Sequence, residues 1–117
     1  MIFRTFTQKL IKRSVERGAA YLDNVHPGWD KHIDTENFCI GTYDRCVLGQ
    51  LHPGGYQEGV MVLRLSHWEA SRCGFDLFPL AQWPSWRFVG SRTGFDYLNE
   101  CWRELIRGRR QLAGNLA

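Results

Sequence analysis

The sequence predicts a mainly α-helical fold: a small single-domain bundle over residues 1–117, with short helices and an aromatic-rich connection between two long ones. Three observations lead there. Apolar residues recur at three-and-four spacing near both ends of the chain, which makes one stripe on a helix of 3.6 residues per turn. Strong breaks at His26-Pro27-Gly28 and His52-Pro53-Gly54-Gly55 cut the remainder into short pieces. A length of 117 residues with 44% hydrophobic and 14% aromatic residues supplies one core and argues against a disordered chain. A minor β element, giving an α+β fold, is the alternative.

The first helix carries Phe6, Leu10, Ile11, Val15, Ala19 and Leu22 on its apolar stripe. Thr5 is expected to cap its start, with Gln8 three places on as the reciprocal partner of a capping box. Pro27 disfavours helical geometry at His26, so the helix should end between Asp23 and Val25. Its opposite face shows Lys9, Lys12, Arg13, Glu16 and Arg17, which reads first as an ordinary solvated face and second as a surface for an acidic partner or a phosphate backbone.

Trp29 and Ile33 are four apart and suit a single helical turn packed on the first helix, followed by a loop through Asp34-Thr35-Glu36-Asn37. Asp44 is expected to cap a short helix over 45–51 that buries Val47, Leu48 and Leu51. Gly49 inside it costs about 1 kcal/mol relative to alanine, which close backbone packing could offset. Tyr56, Val60 and Leu63 recur with helical period, although the run Val60-Met61-Val62-Leu63 also fits a short buried strand; the helix is favoured. Ser66-His67-Trp68-Glu69 is a capping-box pattern opening another helix, which Gly74 should close after Cys73.

Pro79 and Pro84 prevent residues 75–92 from forming one regular helix, so their eight aromatic and aliphatic side chains form a connection that wraps the core or offers a contact surface. The contact reading falls on Trp83, Trp86 and Phe88. In the last helix Thr93 and Asp96 suit a capped start, Phe95, Leu98, Trp102, Leu105 and Ile106 share a face, and Gly108 is expected to mark the end.

The stretch Arg17-Gly18-Ala19-Ala20-Tyr21-Leu22-Asp23, then His26-Pro27-Gly28-Trp29, Ile33-Asp34 and Cys46-Val47-Leu48-Gly49-Gln50-Leu51, resembles small uncharacterised proteins encoded by bacteriophages of mycobacteria and related actinobacteria. Ser66 to Asp76 and Trp102-Arg103-Glu104-Leu105-Ile106 fit the same pattern. The resemblance covers residues 17 to about 107 and implies a phage origin and a place in the host cytoplasm; it brings no activity and no catalytic residues.

Chemistry-bearing residues are few. Cys39 and Cys46 have six residues between them, while Cys73 and Cys101 are isolated, which lacks the close pairing of a zinc site, so no metal is expected. Burial as small core residues is the simpler role for Cys46, Cys73 and Cys101. A nucleophilic Cys46 at a helix start would need a base that the sequence does not place. His67-Trp68-Glu69 lacks the second histidine of a zinc-peptidase helix, and the glycine pairs lack the lysine of a phosphate-binding loop. An enzyme is therefore not expected, nor is a cofactor.

The net charge of +3 divides unevenly: residues 1–17 hold five basic side chains against Glu16, residues 103–117 hold four against Glu104, and the middle of the chain is acidic. The expected function is thus a non-enzymatic protein-binding module acting on a host or phage protein, with a homodimer as a further form. Nucleic-acid binding by Lys9, Lys12, Arg13, Arg103, Arg107, Arg109 and Arg110 is the alternative, weighed against the stabilisation that basic residues give a helix C-terminus. Neither a membrane span nor a secretory signal is apparent: Arg64 ends the longest apolar run, and Met1–Phe6 lacks the required basic and apolar regions.

Overall fold

A computed structural model describes residues 2–76 and 94–116, with side chains placed for residues 8–76 and 95–114. The chain orders as α1 (Ile2–Val25), a 3-10 turn (Trp29–Lys31), α2 (Val47–Leu51), α3 (Tyr56–Leu63), α4 (His67–Arg72) and α5 (Gly94–Leu116). The fold is mainly helical, and no strand forms among the described residues. Of residues 56–65, Tyr56–Leu63 form helix and none forms strand. No described helix is long and apolar enough to cross a membrane.

α1 ends at Val25, where Pro27 predicts, and Gly28 beyond it takes the left-handed φ of 81° that turns the chain into Trp29. Its start differs from expectation: the helix begins at Ile2, so Thr5 lies inside it. Ile2, Phe3 and Arg4 contain no breaker, and a threonine offers a cap without imposing a stop. The Ile11, Val15, Ala19 and Leu22 stripe is buried against α5, whose Leu98, Trp102 and Ile106 face it.

Trp102 stands at the centre. Its indole lies parallel to Phe75 at 5.7 Å, meets the edge of Trp29 at 5.8 Å, and donates its N–H to the Gly74 carbonyl at 2.6 Å. Gly18 of α1 lies against this knot, close to the Cys73 carbonyl. Three helices therefore converge where α4 ends, and Gly74 closes α4 at φ 74°, as its position after Cys73 predicts.

Three local expectations are corrected. Cys46, not Asp44, caps α2: it is extended at φ −75° and ψ 175°, and its Sγ accepts from the Gly49 N–H at 3.2 Å. Asp44 sits instead in a turn closed by the Cys46 N–H donating to the Thr42 carbonyl, so helical bonding begins only with Gln50 N–H to Cys46 O. A Cβ on Gly49 would collide with the Tyr43 carbonyl, the close packing that offsets its conformational cost. Gly108 does not end α5, which runs on to Leu116. Continuing costs about 1 kcal/mol at a mid-helix glycine, and helical phase beyond it carries Arg109 and Arg110 onto their partners. Finally, Phe95 is 39% exposed, because it lies in the first turn, before the packed part of α5 begins at Leu98.

The Ser66 capping box is complete, with the Glu69 N–H donating to Ser66 Oγ at 3.1 Å and the Ser66 N–H to Glu69 Oε1 at 3.3 Å. Of the aromatic connection, Phe75 is buried. Residues 77–92, including Trp83, Trp86 and Phe88, and the Thr93 cap lie outside the described residues.

Candidate protein-contact surface

The seven cations singled out by the sequence divide between two environments. Lys9, Lys12 and Arg13 are exposed on α1, as is Arg107 on α5. The other three arginines turn inward. Arg103 donates from Nε to the Thr35 carbonyl and from Nη2 to the Phe38 carbonyl, each at 3.0 Å. Arg110 donates from Nε and Nη2 to the Asp30 carbonyl and also reaches the Ile33 carbonyl. Arg109 grips Asp23 with two bonds of 2.7 and 2.9 Å while its guanidinium stands 5.6 Å from the Trp29 ring centroid. Arg103 and Arg110 thus fasten the 29–38 segment, which has few regular backbone bonds of its own, to α5, and Arg109 ties α5 to the end of α1.

The Arg109 hydrogen bonds hold the Asp23 carboxyl below its ordinary value of 3.8, with help from the Trp29 N–H and against partial burial. A depressed folded value means that the stability from this pair is fully present above the unfolded value and lost as pH falls through the folded one. Urea midpoints of wild type and Asp23→Asn should therefore differ most well above pH 3.8 and converge as the pH falls below it. A gap that stays constant across this window would remove the pair from the acid response.

Three of the thiols sit where the ionised form is disfavoured. Burial pushes up Cys46, Cys73 and Cys101, and at Cys73 the nearby Arg17 and Arg72 offset this only in part. Cys46 is buried, as the sequence suggests, while Cys73 and Cys101 are half-buried against the core. No group of three metal-ligating side chains converges among the described residues. A concavity of about 400 Å³ runs along α5, lined by Asp96, Asn99, Glu100, Arg103, Glu104 and Arg107. Two of its polar groups already hold the facing loop: Arg103, and Asn99, whose Oδ1 accepts the Ile40 N–H at 2.6 Å.

The surface that sequence reasoning missed lies at the α3–α4 corner. Met61, Val62 and Trp68 are 76, 62 and 62% exposed. The corner is tightly built: Arg64 adopts a left-handed φ of 55° and its N–H bonds the Met61 and Val60 carbonyls, after which the Leu65 N–H returns to Val60 O at 3.0 Å. Ser66 then starts α4 at once. One signal was available beforehand, because four consecutive apolar residues on a helix point in all directions and a helix packed on one side cannot bury them all.

No family model, curated protein or solved structure matches this chain.

Proposed function

We propose that this protein is a non-catalytic protein-binding module that engages a host or phage protein through the α3–α4 corner. The observation that carries the reading is the exposure of Met61, Val62 and Trp68 within eight residues on a short, well-capped scaffold. Large apolar side chains held in water forgo about 25 cal/mol for each Å² they would bury, so exposed apolar residues this close along the chain gain from being covered by a partner. A surface fixed in advance also loses little side-chain and backbone freedom on binding. The raised thiols, and the prior commitment of polar groups beside the α5 concavity, fit a binder better than a catalyst.

The test is capture from an actinobacterial lysate with wild type and with a Met61→Ser, Val62→Ser, Trp68→Ala triple variant, both checked for helicity by circular dichroism. A protein retained by wild type and lost by the folded variant is expected. Identical captured sets would overturn the assignment of the corner. A Trp83→Ala, Trp86→Ala pair in the same experiment asks whether the aromatic connection contributes.

A further inference from the structure

We infer that the partner presents an acidic, amphipathic helix, with its carboxylates lying along the cationic stripe of α1 and its apolar side chains meeting Trp68. This rests on the protein-binding reading above and adds the chemistry of the partner. On α1, Lys9, Arg13 and Arg17 are exposed and follow one another at four-residue spacing, one line about 12 Å long. Arg17 carries this line onto α4, because its Nη1 donates to the Arg72 carbonyl at 2.8 Å. On α4, Arg72 and Trp68 are again four apart and share a face, both exposed.

The result is a continuous track of four cations ending on an exposed indole. The ion pairs formed among the described residues use Arg109, Asp23 and Asp30, none of them on this track. Glu69 near the α4 end has its carboxylate occupied in the capping box; of the two exposed acids on α1, Asp23 is held by Arg109, which leaves Glu16 beside the track. The excess of positive charge calls for a partner with carboxylates at matching helical intervals. The exposed Trp68 ring would also stack on a base, so the apolar choice rests on Met61 and Val62, exposed aliphatic side chains a few residues before it in the chain, which suit a partner with apolar side chains.

Fluorescence anisotropy on the full chain tests this with three labelled probes. One is a helical peptide of about five turns with glutamates four apart on one face and leucines beside them. The second replaces every glutamate with glutamine, and the third is an oligothymidylate. The glutamate peptide is expected to bind at low salt, about tenfold or more tighter than the glutamine peptide, and to lose about tenfold in Lys9→Glu, Arg13→Glu. Those two positions are surface-exposed, so the double variant should keep its helicity and melting temperature. Trp68→Ala should weaken the same peptide independently of charge.

Equal binding of the two peptides, no binding of either, or indifference to the charge reversal would overturn the acidic class. Tighter retention of oligothymidylate, abolished by the same reversal, would overturn it in favour of nucleic acid. Lysate capture that depends on Met61, Val62 and Trp68 but not on Lys9 and Arg13 would likewise reject the acidic partner, while leaving the protein-binding module in place.

Discussion

Gly18→Ala should destabilise the protein by about 3 kcal/mol, lowering the melting temperature by roughly 10 °C or more. In an isolated helix the change would help, since alanine is favoured over glycine by about 1 kcal/mol. Here the new methyl would overlap the Cys73 carbonyl oxygen and lie 3.0 Å from Trp102 Cη2. The first obstacle is backbone at the end of α4, so relief requires moving one helix relative to another rather than turning a side chain. Gly108→Ala provides the opposite case: a Cβ there meets nothing within 4 Å, and a gain of up to about 1 kcal/mol is expected. Chemical denaturation followed by circular dichroism gives both signs. A Gly18→Ala protein as stable as wild type would disprove the close approach of α1 to α4.

Truncation of Trp102 to alanine should cost about 3 to 5 kcal/mol, a large share of the whole stability of a domain this size. The side chain is fully buried, stacks on Phe75 and meets the edge of Trp29. Trp102→Phe separates packing from hydrogen bonding. It keeps an aromatic ring against Phe75 but removes the N–H that the Gly74 carbonyl accepts, leaving that buried acceptor without this donor at a cost of about 1 to 3 kcal/mol. The expected order of denaturation midpoints is wild type, then Trp102→Phe, then Trp102→Ala. If phenylalanine were as stable as tryptophan, the bond to Gly74 would contribute nothing. Gly18 and Trp102 touch the same point, so their effects should not add.

What the sequence made legible was local. Pro27 places the end of α1, Ser66 and Glu69 the start of α4, and Gly74 its close, because each acts on backbone within a few residues. Thr5, Asp44 and Gly108 misled for the converse reason: a residue that can cap or end a helix does so only if the surrounding chain lets it. The turn around Thr42 took the cap away from Asp44, and distant partners of Arg109 and Arg110 drew α5 past Gly108. At the candidate surface, the cations of α1 were visible as an exposed face. The inward orientation of Arg103, Arg109 and Arg110 was not, since their acceptors lie 65 to 86 residues earlier in the chain. Met61 and Val62 were readable as apolar but not as exposed, because exposure depends on which side of α3 is covered.

Those arginine ties also bear on how the protein is made. During translation the segment from Trp29 to Phe38 leaves the ribosome long before Arg103, Arg109 and Arg110 do, so its carbonyls stay hydrated until α5 arrives. Contacts over such sequence distances form slowly, so docking of α5 is expected to come late, with amides of the 29–38 segment gaining exchange protection only after those of α1.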